Sequence, residues 1–173
     1  MKKLTDTLFV IPARGGSKGL PGKNIRELCG KPLIGYSIDI ARQIASEDNI
    51  CVSTDDQKII DVVENYGLKV PFIRPSELAT DIATTNDVLL HALDFYEKQG
   101  KHFSKILLLQ PTSPLRKIKE VQDAIKLYRE DIDMVVSVTK SHAPAVLCHD
   151  NEKGFVEPKC SDRKQMDFRY GFS

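Results

Sequence analysis

Short apolar runs alternate along this chain with amphipathic segments of helical period, and that alternation leaves few ways to fold. The runs are Leu8 to Ile11, Ile50 to Ser53, Val70 to Ile73, Ile106 to Leu109 and Met134 to Val138. Each is bounded by turn or breaker residues and reads as a buried strand. Between them the apolar positions recur with helical spacing: Leu33, Ile34, Ile38, Ala41 and Ile44; Ile59, Ile60, Val63 and Tyr66; Leu89, Ala92, Leu93 and Tyr96; Val121, Ala124, Ile125 and Tyr128. Gly67 stands where a helix would end on a left-handed residue. Parallel strands need crossover connections, which are usually helical, so the pattern predicts a three-layer α/β/α fold of Rossmann-like type around a mostly parallel sheet. Ligands of such sheets bind beyond the carboxyl ends of the strands. Chemistry is therefore expected in residues 12–24, 54–56, 74–81 and 110–116.

The 173 residues suit one α/β domain, here residues 1–139. Past Lys140 the pattern weakens. Val146 to His149 and Phe155 to Glu157 flank Asn151-Glu-Lys-Gly154, which predicts a hairpin with Gly154 in its turn. Ser161 to Ser173 shows no clear period and resembles an unfinished element. A formal net charge of +1 argues against a nucleic-acid partner and places any electrostatic function locally. The polar start, Met1 to Asp6, and the absence of a long apolar run argue against a membrane span or signal segment, so a cytoplasmic protein is expected. Cys29, Cys51, Cys148 and Cys160 have neither zinc-site spacing nor the density of a disulfide scaffold and read as reduced and structural. His91, His102, His142 and His149 have no metal-ligand spacing either.

Local charge gathers after the first strand. Arg14, Lys18, Lys23, Arg26 and Lys31 are opposed only by Glu27, and Gly15, Gly16, Gly19 and Gly22 are woven among them. Glycines let a backbone approach phosphate oxygens closely, and the cations neutralise them. Solvated surface charge on a glycine-rich turn is the alternative. The spacing excludes the two common nucleotide motifs. A P-loop needs Gly-x4-Gly-Lys-[Ser/Thr], but Gly19 stands only three positions before Gly22-Lys23, and Asn24 follows; nor does Gly15-Gly16-x-x-Gly19 fit Gly-x-Gly-x-x-Gly.

The loop resembles that of the sialic-acid-type cytidylyltransferases, the CMP-nonulosonate synthetases, which reads Ala-Arg-x-x-Ser-Lys-Gly-x-Pro-x-Lys-Asn. Ala13, Arg14, Ser17, Lys18, Gly19, Pro21, Lys23 and Asn24 fill every fixed position. The resemblance continues through Val52-Ser-Thr-Asp55, Arg74-Pro-x-Glu-Leu-Ala79 with Asp81, and Leu109-Gln-Pro-Thr-Ser-Pro-Leu-Arg116, covering about Leu8 to Val138. It implies a fold of the nucleotide-diphospho-sugar transferase kind and a reaction of CTP with a nonulosonic acid such as N-acetylneuraminate, giving a CMP-sugar and pyrophosphate.

The resemblance also implies roles. Arg14, Ser17, Lys18 and Lys23, with the amides of the loop from Ala13 through Gly15 and Gly16, would hold the triphosphate, Arg14 or Lys23 stabilising charge on the attacked α-phosphate. Asn24, Arg74 and Thr85 would help read cytosine, Thr85 standing where serine is common. Gln110, Thr112 and Ser113 would line the sugar pocket. Thr112 and Ser113 could instead cap a helix beginning at Pro114, Asp55 could cap the helix after its strand, and Arg74 could form a surface ion pair. Family members run on through an Asn-Gly-Ala-[Ile/Leu]-Tyr strand to paired aspartates that bind Mg²⁺; those residues are not found here, so the metal ligands are unassigned and a short form is expected. Residues 140–173 would be part of an element that makes a homodimer, with Ala145 and Val146 where some members have a basic residue. A CTP-binding protein without turnover is the alternative. Transferases acting on Kdo lack this loop series.

Overall fold

The computed structural model of the chain describes residues 3–16, 19–138, 148–150 and 156–158. Two compact units divide it, Met1–Gln122 and Asp123–Ser173. The expected domain boundary at 139/140 lies outside the described residues, as do Ser17 and Lys18.

The first unit runs through β1 (Thr7–Pro12), a small hairpin of β2 (Glu27–Leu28) and β3 (Lys31–Pro32), α1 (Leu33–Ile44), β4 (Ile50–Ser53), α2 (Gln57–Asn65), α3 (Thr85–Glu97) and β5 (Lys105–Leu108). α4 (Ile118–Leu127) begins in this unit and ends in the second. β1 is the middle strand of a parallel sheet in the order β4, β1, β5, with Val10 opposite Cys51 on one side and Leu108 on the other.

The apolar run of β1 is continuous because both faces of the sheet are covered. Leu8 and Val10 pack with Cys51, Ala92 and Tyr96 beneath α3. Phe9 and Ile11 alternate to the opposite face and are fully buried there, where α1 supplies Ile34, Ile38, Ala41 and Ile44. Each such large aliphatic or aromatic side chain contributes roughly 1.5–3 kcal/mol by leaving water. The expected α/β/α layering is thus present around a three-stranded core.

Local signals explain the helix ends. The Asp56 side chain caps α2 by accepting from the Lys58 N–H at 2.8 Å. Gly67, at φ 82°, ends the same helix as its spacing predicted: its N–H donates to Glu64 O at 2.9 Å, and that of Leu68 to Val63 O at 3.1 Å. A capping box opens α3, Thr84 Oγ1 accepting from the Asp87 N–H while Asp87 accepts from that of Thr84.

Two expected strands do not form. Val70 to Ile73 makes only an isolated bridge, Thr54 to Ile73: Pro71 has no N–H to donate to a ladder, and Ile73 faces solvent. Met134 to Val138 has no ladder partner among the described residues, and Met134, Val136 and Val138 are exposed. The β2–β3 hairpin is an element the sequence reading lacked, since two-residue strands are too short to show alternation. Its turn, Cys29 at φ 51° and Gly30 at φ 76°, matches a type I′ connection. Cys29 is therefore exposed and has no place in the core, whereas Cys51 is fully buried.

In the second unit, β6 (Cys148–Asp150) pairs antiparallel with β7 (Val156–Pro158), His149 opposite Glu157. This is the expected hairpin, although Gly154 and residues 159–173 lie outside the described residues.

Candidate functional site

The carboxyl ends of β1 and β5, with the segment that leads into α3, open on a cleft of about 300 Å³. Seven of the residues singled out in the sequence line it together: Arg14, Lys23, Asn24, Arg74, Thr85, Gln110 and Thr112. They come from separate stretches of chain, which the parallel sheet delivers to one edge because every strand in it points the same way.

The loop after β1 is held at both ends. Ala13 is fully buried and donates its N–H to Ser53 O at 2.9 Å, extending the β1–β4 ladder one residue; it does not reach the cleft. The Gly15 N–H donates to Asp55 Oδ1 at 3.0 Å. Further along, Asn24 Nδ2 donates to Arg14 O at 3.1 Å, bringing the far end of the loop back to its start. Gly22, at φ 66°, opens the 3-10 turn Lys23–Ile25 that carries Lys23 and the buried Asn24 to the cleft. Gly15 and Gly16 do not line the cleft. Gly15 nonetheless has a strict steric role: a Cβ there would come within 2.7 Å of Asp56 Cβ.

Arg74 forms no surface ion pair, because it is 5% exposed. Its Nε donates to Ser53 Oγ at 3.0 Å, its Nη2 donates to Ser53 O, and its backbone N–H donates to Thr54 O at 2.7 Å. Burial pushes the guanidinium below its usual pKa, and the nearby Asp55 carboxylate works against that shift. The ordinary arginine value is so high that the group stays cationic. Arg14 instead reaches the loop before α3, Nη1 lying 2.8 Å from Asp81 Oδ1 and 3.2 Å from Thr80 O. Thr85 is the first residue of α3 and presents its side chain beside Thr84 and Val88.

The segment after β5 departs from expectation in one respect. No helix begins at Pro114, since α4 starts at Ile118, so Thr112 and Ser113 are not its caps. Thr112 lines the cleft with Gln110 and Pro111, whereas Ser113 turns away, its N–H donating to Gln110 O at 3.2 Å. Arg116 holds this turn in place: Nη2 donates to Gln110 O at 2.9 Å and Nη1 to Ser37 Oγ of α1 at 3.1 Å. Burial lowers the Arg116 pKa as well.

Sequence reasoning passed over Asp56 and Arg116. The first had a visible signal, an acidic residue directly before a helical period, but the possible capping role was read onto its neighbour Asp55. The helix takes Asp56, and Asp55 is left for the loop. Arg116 bonds across 79 positions to Ser37, a partner no local pattern reveals. Among the described residues, no group of three or more His, Cys, Asp or Glu side chains is placed to hold a metal ion, and no helix is long and apolar enough to cross a membrane.

Comparison with known proteins gives the chain a family. The profile of a family described as cytidylyltransferase matches residues 8–158. A CMP-N,N'-diacetyllegionaminic acid synthase from Legionella pneumophila is 40% identical over 154 residues, 88% of this chain and 66% of the relative. An N-acylneuraminate cytidylyltransferase from Escherichia coli is 41% identical over 83% of this chain and 33% of its own. A Campylobacter jejuni pseudaminic acid cytidylyltransferase is 42% identical over 62% of this chain and 47% of its own. The chain thus spans between a third and two thirds of the length of these relatives. Among solved structures, a CMP:2-keto-3-deoxy-manno-octonic acid synthetase complexed with CTP superposes with a TM-score of 0.57 at 26% identity, over 69% of this chain and 46% of that one. A cytidylyltransferase from Leptospira borgpetersenii shares the fold with a TM-score of 0.52 at 22% identity, over 72% and 49%. With a family profile matched over most of its length and a cleft built from the residues that carry the resemblance, the chain belongs to the cytidylyltransferase family.

Proposed function

We propose that the cleft binds CTP, and that the protein containing this chain transfers CMP to a nonulosonic acid, N-acetylneuraminate or a relative. The observation that carries the reading is the convergence of Arg14, Lys23 and Arg74 with the amide and hydroxyl groups of Asn24, Thr85, Gln110 and Thr112 around one opening. Arg14 and Lys23 suit a triphosphate, the Arg74 guanidinium with Asn24 and Thr85 suits a base rich in acceptors, and the neutral groups of Gln110 and Thr112 suit a polyhydroxylated acid. The names of the curated relatives support the choice of sugar class.

In the proposed reaction the anomeric hydroxyl oxygen attacks the α-phosphorus and the bond to the β-phosphate oxygen breaks. CMP-sugar and pyrophosphate form, and the hydroxyl proton passes to solvent. Arg14 and Lys23 hold the phosphates and offset charge growing on the α-phosphoryl oxygens, aided by Ser17, Lys18 and the loop at Gly15 and Gly16. Asn24, Arg74 and Thr85 line the cytosine side. A guanidinium facing cytosine O2 and N3 is the element that would reject other bases. Gln110 and Thr112 serve the sugar.

The resemblance implies Mg²⁺, which would neutralise phosphate charge when bound. The acids near the cleft do not form a site for it: Asp55 is bonded to Gly15, and Asp81 is paired with Arg14. Residues 140–173 belong, on this reading, to a dimerisation element of a cytoplasmic homodimer.

Calorimetry with CTP, UTP and ATP tests the reading, followed by pyrophosphate release from CTP with N-acetylneuraminate, pseudaminate and legionaminate in the presence of Mg²⁺. CTP is expected to bind at least tenfold more tightly than ATP, with Lys23→Ala weakening all three nucleotides alike and leaving the preference in place. Equal affinities for the three nucleotides would refute it. CTP binding without release of pyrophosphate would reduce it to a nucleotide-binding protein.

A further inference from the structure

Asp55 presents a chemical problem for a triphosphate site, because a carboxylate at the edge of a phosphate loop repels the ligand it adjoins. It does not cap α2, which uses Asp56, so a capping role cannot account for it. Its Oδ1 instead takes the Gly15 N–H at 3.0 Å, a backbone donor that would otherwise be free for phosphate. Gly15 is pressed against the start of α2 so closely that a Cβ would lie 2.9 Å from Asp56 Cγ. The three residues Ser53, Thr54 and Asp55 hold two sides of the cleft at once. Ser53 and Thr54 bind the Arg74 side chain and backbone, and Asp55 binds the first glycine of the loop.

We propose that Asp55 is a positioning residue: by accepting the Gly15 N–H it fixes where the phosphate loop leaves β1, and so sets the loop against the Arg74 wall. The binding half of this proposal rests on the CTP reading given above. The loop's phosphate donors are then the cations and later amides, and Gly15 serves through its backbone geometry. The hydrogen bond is what matters, so an uncharged acceptor of the same shape suffices. Asparagine keeps such an oxygen and alanine does not.

The test compares Asp55→Ala and Asp55→Asn with the wild-type chain. In ligand-free protein, amide hydrogen exchange at Gly15 is expected to speed at least tenfold in Asp55→Ala and to stay within about threefold of wild type in Asp55→Asn, while Val10 in β1 is unchanged. In calorimetry with CTP and with inorganic tripolyphosphate, Asp55→Ala is expected to lose at least tenfold in affinity and Asp55→Asn to recover to within about threefold. Tighter binding in Asp55→Ala would show simple repulsion and overturn the proposal. So would an asparagine variant as weak as the alanine variant, or a Gly15 exchange rate indifferent to both substitutions. If wild-type protein binds no CTP, the nucleotide reading fails, and exchange at Gly15 alone decides whether Asp55 anchors the loop.

Discussion

Replacing Gly15 with alanine puts the closest contact in the site under a calculable strain. The added methyl would lie 2.7 Å from Asp56 Cβ and 2.9 Å from Cγ, against about 3.5–4.0 Å for an unstrained carbon contact. Rotating the Asp56 side chain cannot move its Cβ. Two movements remain. The loop can withdraw, breaking the Gly15 N–H bond to Asp55, and a bond to a charged acceptor is worth about 1.5–3 kcal/mol. Otherwise the start of α2 shifts and disturbs the Asp56 cap, worth about 0.5–2 kcal/mol. The cheaper route sets the penalty, about 0.5–2 kcal/mol, which lowers Tm by roughly 1–8 °C for a chain of this size. Gly16 supplies the control: an added Cβ meets nothing within 4 Å, and its backbone is not left-handed. Gly16→Ala is therefore expected to be neutral or to stabilise by about 0.4–1 kcal/mol through the unfolded chain. Urea and thermal unfolding followed by far-UV circular dichroism measure both variants. A second background sharpens the result, since Asp56→Gly removes the Cβ and should recover at least half of the Gly15→Ala penalty. Equal costs at the two glycines, or strict additivity with Asp56→Gly, would refute the steric argument.

Arg116→Ala removes two donors that tie the Gln110 turn to α1 and is expected to destabilise the chain by about 2 kcal/mol in urea unfolding; Arg116→Lys should recover less than half, since one ammonium cannot reproduce the fork. Asp81→Asn should leave Tm within about 2 °C, because the ion pair it breaks is 37% and 50% exposed on its two sides and such pairs are worth about 0–1 kcal/mol. Burial pushes the Cys51 thiol up to about 12. Its unfolded value is about 8.5, so the folded pKa is raised: the associated stability is complete below about pH 8.5 and is lost as pH climbs toward the folded value. Between pH 8.5 and 10 this amounts to about 2 kcal/mol, and the urea midpoint of Cys51→Ala should fall less steeply over that range than that of wild type; parallel slopes would contradict the assignment.

Much of the fold was legible because its signals are local. β1 and β4 follow continuous apolar runs, α1 and α3 cover their apolar periods while α2 and α4 stop one residue short of Tyr66 and Tyr128, and Gly67 ends α2 through its left-handed backbone. The run at Val70 misled because apolar content does not guarantee a ladder: Pro71 removes a donor within it. Met134 to Val138 misled for a related reason, since a strand exists only where a partner offers its backbone groups. The β2–β3 hairpin escaped notice because its turn uses a cysteine at positive φ, a residue that does not announce a type I′ turn.

The candidate site divides along the same line. Residues that would touch a ligand are marked by their chemistry, and cations, amides and hydroxyls at the ends of strands could be picked out one by one. Residues that hold those groups in place are marked only by their partners: 40 positions separate Gly15 from Asp55, 66 separate Arg14 from Thr80, and 79 separate Arg116 from Ser37. A motif therefore treats Gly15 and Gly16 as equivalent glycines, although one is pressed against a helix start and the other stands in open space. The same division applies to Asp55 and Asp56, whose side chains serve the loop and the helix respectively. Exchanging each for alanine should separate the two kinds of work: at Asp56 through the stability of α2, and at Asp55 through the position of a loop whose own residues are untouched.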